Sequence, residues 1–279
     1  MYDAAVRRPM TDSYGWHADA QAPPLSDSPI LLSCFPSAGL AATVAAHYMV
    51  QALNLPRIGT FDSEDSLPLA IVQGGQVHPP IRVYGRGGLA IVLSEFPPAA
   101  TAAGPIATAI LAVAARIHAR LVLAVEGVVP HPPGEEGEED PKEAPKDLPE
   151  EAVWFVTSQL NSPWSEALKK AQAKSLGDGI IGGISGALLV RGQSGTMPVA
   201  SLLVSAKNTE GFPDHRAAAA LIETIDRLFP EVKIDTAPLR TQAALIERAL
   251  RDAMKRHKAT APPTGETTTP SAEAQSLYQ

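Results

Sequence analysis

The chemistry-bearing residues of this chain are few. Gly177-Asp-Gly179-Ile-Ile-Gly182 matches the G-x-G-x-x-G pattern of a phosphate-cradling turn. That pattern needs a strand before it and an acidic residue about 20 positions on. Ala171–Leu176 reads as helix instead, and positions 199–204 hold no acid. The plain reading is that Gly182, Gly183 and Gly186 let a helix pack closely on a sheet. Ser37, in Phe35-Pro-Ser-Ala-Gly39, stands where a nucleophile would. A nucleophile elbow has glycine two residues before its serine, and here that residue is Phe35. Asp214 and His215 are the available triad partners, but neighbours on a helix diverge by about 100° and do not serve one serine together. Ser37 then reads as a helix N-cap.

Cys34 has no His or Lys close by in sequence and reads as a buried structural thiol. The histidines at 17, 47, 78, 118, 131, 215 and 257 show no H-x-x-x-H spacing, so neither a metal nor any other cofactor is expected. Glu95 and Glu126 each follow or close a strand-like run. Open α/β sheets bind ligands at such strand ends. A phosphorylase- or hydrolase-like site would therefore use Glu95 or Glu126 near Ser37. The alternative is that both carboxylates cap loops.

The elements that would position these groups alternate. Pro29–Cys34 is an apolar run of strand length, and Leu40–Leu53 reads as a helix. Strands are expected at Arg57–Phe61, Ile81–Tyr84, Leu89–Ser94, Leu121–Val125, Val153–Thr157 and Pro198–Ser205. Helices are expected at Gly104–Ala119, Pro163–Ser175, within Gly179–Val190, at Asp214–Phe229 and at Leu239–Met254. This order predicts an α/β fold, a three-layer sandwich with a mainly parallel sheet. Residues 1–27 read as a flexible N-terminal arm and 28–257 as the folded domain. Residues 258–279 read as a disordered tail, because alanine, threonine and proline offer little to pack.

Composition narrows the partners. The 279 residues carry a net charge of −7, the wrong sign for a nucleic-acid partner. Between His131 and Glu151 stand nine acidic residues and two lysines, which accounts for that entire net charge. With its prolines, this stretch is expected to be a solvated insertion in the domain. The longest apolar run, Pro105–Ala115, reaches about 16 Å as a helix, short of the ~20 residues of a membrane span. A single cysteine fits a reducing, cytoplasmic setting.

Several segments together resemble one family. Phe35-Pro-Ser-Ala-Gly39-Leu and Ala45-Ala-His-Tyr-Met-Val50 are similar to the opening strand–turn–helix of the proteasome assembly chaperones of the second-subunit type. Ile58-Gly59, Pro79-Pro80-Ile-Arg-Val-Tyr84, Ser94-Glu-Phe-Pro97 and Glu126-Gly127 follow in the family's order. So do Gly179–Gly186, Leu202-Leu203, Pro213–Ala218 and Ile234–Leu239. The resemblance implies a fold related in topology to nucleoside phosphorylases, without established catalysis. It implies a homo-oligomer that escorts or binds the α-ring of the proteasome core particle, as archaeal members do. The last three residues, Leu277-Tyr278-Gln279, resemble the hydrophobic–Tyr–any-residue tail with which proteasome activators dock between α subunits. The resemblance thus makes these three the partner-binding residues. A scaffold oligomer without proteasome contact is the remaining alternative.

Overall fold

The computed structural model describes residues 14–63, 68–129, 151–159, 161–207 and 212–260. The chain divides into two compact units, Met1–Arg240 and Thr241–Gln279. The first contains the sheet. Its strands are β1 (Gly15–Ala18), β2 (Leu25–Cys34), β3 (Arg57–Asp62), β4 (Ile71–Gln73), β5 (Gln76–His78) and β6 (Ile81–Leu93). They continue with β7 (Leu121–Val128), β8 (Val153–Thr157), β9 (Lys174–Ser175) and β10 (Val199–Ser205). The helices are α1 (Ala41–Ala52), α2 (Ala103–Arg116), α3 (Pro163–Lys170), α4 (Gly183–Ser194), α5 (His215–Leu228) and α6 (Ala237–Thr260). α6 starts in the first unit and continues into the second.

Eight strands form one sheet in the order β1-β3-β6-β2-β7-β10-β8-β9, and β4 and β5 form a separate hairpin. The pairs β6–β2, β2–β7 and β7–β10 are parallel. β1–β3, β3–β6 and β10–β8 are antiparallel. The parallel character expected from sequence thus holds for the central four strands and recurs in the edge pair β8–β9, while the pairs that join these strands to their flanks are antiparallel.

β6 does not run straight. Thirteen extended residues would carry Arg82 and Glu95 about 40 Å apart. These two side chains are instead ion-paired, so the strand doubles back. The reversal falls at Arg86-Gly-Gly88, where Gly87 takes a left-handed φ of 56°.

The strands alternate between two apolar faces because successive side chains point to opposite sides. Ile30, Leu32, Cys34, Leu121, Leu123 and Val125 pack with α1 and α5. Leu31, Ala90, Val92, Val122 and Ala124 pack with α2 and α4. Both faces of the central strands are buried, which explains their near-continuous apolar sequence. The facing helices are rich in alanine, as in Ala41, Ala42, Ala45 and Ala46 of α1 and Ala217–Ala220 of α5. Small side chains let them approach the sheet closely.

Three expectations are corrected. Residues 15–18 and 25–27, placed in the N-terminal arm, are strand. β1 is held by Trp16, which covers Gly59 so closely that a Cβ there would overlap the indole. Trp16 also packs on Phe61, ring centroids 5.4 Å apart. Residues 171–176, read as helix, hold a turn and the two-residue β9, because α3 ends at Lys170. α6 continues to Thr260, past the expected domain end at residue 257.

Candidate functional site

The carboxyl ends of β6, β2, β7 and β10 share one edge of the sheet, and most of the residues singled out from sequence gather there. After β2 the chain enters a 3-10 turn, Ala38–Leu40, with φ of 59° at Gly39 and 50° at Leu40. A Cβ on Gly39 would lie 2.8 Å from the Lys207 carbonyl oxygen and 2.9 Å from Asp214 Cβ. Only glycine satisfies both the angle and the space. The Gly39 carbonyl accepts a 2.7 Å hydrogen bond from the Asp214 amide.

Ser37 stands at the N-cap position of this turn, as expected, but its Oγ makes no capping bond. It accepts the Gly127 N–H at 2.8 Å instead. Asp214 is fully engaged as the N-cap of α5. Its Oδ1 accepts from the amides of Arg216 (3.1 Å) and Ala217 (3.0 Å), and its Oδ2 from the Lys207 amide (2.8 Å). His215 Nδ1 faces the Pro213 carbonyl at 3.0 Å. Ser37, Asp214 and His215 tie the turn, β7, β10 and α5 together and do not form a hydrogen-bonded triad.

Glu95 and Glu126 lie on opposite faces of the sheet. Glu126 follows Ala124 on the α2–α4 face. Its Oε1 accepts a 2.6 Å hydrogen bond from Ser185 Oγ in the first turn of α4. Burial pushes the Glu126 carboxyl above the usual carboxylate range, and the Ser185 hydrogen bond only partly opposes this.

Glu95 follows Leu93 on the α1 face. Its Oε1 lies 3.0 Å from His47 Nε2 and pairs with Arg82. Arg82 is 1% exposed, and its Nε donates to the Tyr84 hydroxyl at 3.0 Å. Burial alone would raise the Glu95 carboxyl; the His47 hydrogen bond and the Arg82 charge outweigh it and hold it below its ordinary value. Beside this group Arg57 pairs with Asp19 at 2.7 Å and contacts His78. No strand pattern marked Arg82 as buried, because a charged residue is buried only when paired, and its partner lies across the β6 reversal.

Glu95 and Glu126 therefore do not join one reaction centre. One carboxylate sits under α1, the other under α4, and the serine oxygen is occupied by backbone.

The Gly177–Gly182 segment lies in the chain between the edge strand β9 and α4. Its glycines do not pack on the sheet. Gly182 and Gly183 have open space where a Cβ would stand, and Gly186 faces the Ile181 carbonyl. Gly192 is the close-packing position, where a Cβ would meet Ser158 Oγ at 2.8 Å. Cys34 is buried, and desolvation pushes its thiol up to about 12. Among the described residues no group of three or more His, Cys, Asp or Glu side chains could hold a metal ion. Among them, too, no helix is long and apolar enough to cross a membrane. A cavity of about 790 Å³ opens between β8 and α3, lined by Thr157, Ser158, Ser162, Ser165 and Gln193 among others. Leu277, Tyr278 and Gln279, together with the acidic segment 131–150, lie outside the described residues.

Comparison with known proteins extends over most of the chain. An uncharacterized protein of Methanocaldococcus jannaschii, MJ0106, is 23% identical over 231 residues, covering 83% of this chain and 87% of its own. PbaB of Pyrococcus furiosus, an archaeal proteasome activator, superimposes with a TM-score of 0.70 at 18% identity, over 88% of this chain and 100% of its own. PbaA of the same organism, an archaeal homolog of proteasome-assembly chaperone, gives a TM-score of 0.69 at 24% identity, over 88% and 93%. These similarities carry the fold. The model of the PAC2 family matches residues 31–254, from β2 into α6. The chain belongs to the PAC2 family.

Proposed function

We propose that this protein is a non-catalytic assembly chaperone or activator of the proteasome core particle, working in the cytoplasm as a homo-oligomer. It binds core-particle α subunits through Leu277-Tyr278-Gln279. The observation that carries this reading is the PAC2 match over residues 31–254 in a chain ending in a hydrophobic–Tyr–X tripeptide. Two structural neighbours, PbaA and PbaB, are a homolog of proteasome-assembly chaperone and a proteasome activator. The Ser37 hydroxyl accepts the Gly127 N–H, which supports a binding role over a catalytic one.

A docked tyrosine with a terminal carboxylate gains apolar burial and one charge-assisted bond. Ordering the backbone of the tail opposes this gain. One tail alone then binds in the micromolar to millimolar range. Sixteen residues separate Thr260 from Leu277, and a flexible linker of that length reaches about 20–24 Å. Several tails of one oligomer can reach separate pockets at that distance, which multiplies the affinity.

The test is a pull-down of purified proteasome α subunits with the full chain and with a chain ending at Ser276. The full chain retains α subunits and the shortened chain loses them. Equal retention would move the contact to the folded body, and no retention by either would remove the proteasome reading.

A further inference from the structure

The sheet ends unevenly at β9. β8 pairs with β10 on one side and with β9 on the other. The Ser158 N–H donates to the Val199 carbonyl and the Ser205 N–H to the Ala152 carbonyl, each at 2.9 Å. Ala152, Trp154, Val156 and Ser158 therefore turn their main-chain groups to β10, and Val153, Phe155 and Thr157 turn theirs to the β9 side. β9 has only two residues and meets β8 at Trp154 and Phe155. The last rung is the Leu176 N–H on the Phe155 carbonyl at 2.9 Å. The chain then departs at Gly177, and the next rung is not made. Among the described residues, the main-chain N–H and C=O of Thr157 have no hydrogen-bond partner.

A cavity stands where β9 would continue. It is the space of about 790 Å³ between β8 and α3, and its walls include Thr157 and Ser175, the last residue of β9. That volume falls in the range of about 300–1,000 Å³ found for ligand sites. Most of its lining carries hydroxyl or amide groups, Ser162, Ser165 and Gln193 among them. Thr157 Oγ1 and Ser165 Oγ lie 3.3 Å apart on the α3 side. Its charged residues, Glu166 and Lys169, pair with each other at 2.8 Å.

The open rung and the polar cavity suit one kind of occupant. A strand edge with a free donor and acceptor side by side accepts the main chain of an extended peptide. A polyol meets the hydroxyls but completes no ladder. Because the two charges in the lining satisfy each other, a charged segment finds no counter-ion there and loses its hydration. Side chains of an added strand alternate between the two faces of the sheet. One set meets the hydroxyls of Thr157 and Ser165, and the other meets the Gln193 amide of α4.

We infer that Thr157 and this cavity form a docking site for an extended, uncharged polar segment of another protein, which joins the sheet beside β8 where β9 stops. The Thr157 N–H and C=O hold its main chain. The hydroxyl and amide groups of the walls hold its serine, threonine, asparagine or glutamine side chains. This site is separate from the C-terminal tripeptide, and its test does not involve the proteasome.

The probe is the capped, fluorescein-labelled hexapeptide Thr-Gln-Ser-Thr-Gln-Ser, titrated into the full chain and followed by anisotropy. Its counterparts are the same peptide with every amide N-methylated and the same peptide with glutamates in place of glutamines. Maltotriose serves as a competing polyol. The parent peptide binds saturably and with little dependence on salt. N-methylation weakens binding at least ten-fold, the glutamates weaken it at least three-fold, and maltotriose does not displace the peptide. Thr157→Pro removes the free N–H at a position where a strand edge tolerates proline, and it weakens binding at least ten-fold. Gln193→Trp, at an exposed position, fills the cavity and weakens binding at least three-fold. It keeps the test valid if Thr157→Pro fails to fold. The inference is overturned if the parent peptide does not bind saturably, or if the N-methylated or the glutamate peptide binds as tightly. It is also overturned if both variants bind the parent peptide as the native chain does. Displacement by maltotriose would make the cavity a polyol site. Sedimentation that shows self-association of the unliganded chain abolished by Thr157→Pro would give the edge to a second copy, and either result overturns the inference.

Discussion

Gly127 and Ala38 are packed so closely that a Cβ on Gly127 would overlap the Ala38 carbonyl oxygen. The same glycine donates its N–H to Ser37 Oγ. The turn after β2 is thus clamped to the end of β7 by one steric contact and one hydrogen bond. Gly127→Ala forces the turn away and should cost about 1–3 kcal/mol, as overpacking does. Ser37→Ala leaves the buried Gly127 N–H without its acceptor, at a cost of about 1–3 kcal/mol. Urea unfolding of both variants checks this. Unchanged midpoints would contradict the clamp.

Glu126 makes stability depend on pH with a defined sign. Burial raises its carboxyl pKa in the folded chain, so the folded state holds its proton above the pH where the unfolded chain, near 4.3, has lost it. The group contributes its full stability below that pH and loses it as pH rises through the folded value. Glu126→Gln keeps an oxygen for Ser185 and cannot ionise. It should raise the melting temperature at pH 7–8 and leave it nearly unchanged at pH 4. The opposite ordering in a pair of thermal melts would show that the ionised carboxylate is the favoured form.

Cys34 should be inert in the folded protein. The thiolate is the reactive form, and burial pushes this thiol up to about 12. Ellman's reagent at pH 8 should label less than a tenth of the native chain in an hour and all of it in 6 M guanidinium. Rapid native labelling would mean that β2 opens at its end.

The acidic segment should contribute little to stability. Like charges and prolines between residues 131 and 151 disfavour packing. Replacing residues 134–148 by a short Gly/Ser linker should shift the melting temperature by no more than about two degrees, an effect below 1 kcal/mol for a domain of this size. A drop of ten degrees would show that the segment packs on the domain.

The parts of the fold that were legible in sequence are those fixed by local pattern. The strand Val153–Thr157 carries β-branched and aromatic residues, and the helix at 214–229 combines the Asp214 cap with an apolar stripe. β1, β9 and the β4–β5 hairpin are two to four residues long and hold too little apolar sequence to announce themselves. They exist because a neighbour pairs with them, as Gly59 does under Trp16. At the candidate site, Ser37, Glu95 and Glu126 were visible as residues at strand ends, but their partners were not. Arg82 reaches Glu95 only through the reversal of β6. Ser185 reaches Glu126 across 59 residues of chain. Alternation along β7, with Val125 and Ala124 on opposite faces, was the one signal that could have separated the two carboxylates beforehand.

The most direct measurement of the central claim is the affinity of the full chain for purified proteasome α-rings, set against Tyr278→Ala and against a chain with one residue added after Gln279. Both changes leave residues 31–254 untouched, so fold and oligomer should be retained in sedimentation. Each should weaken binding at least ten-fold, because the first removes the aromatic ring and the second displaces the terminal carboxylate from the pocket. If the parent binds and both variants bind equally well, the tripeptide is not the contact and the account is contradicted.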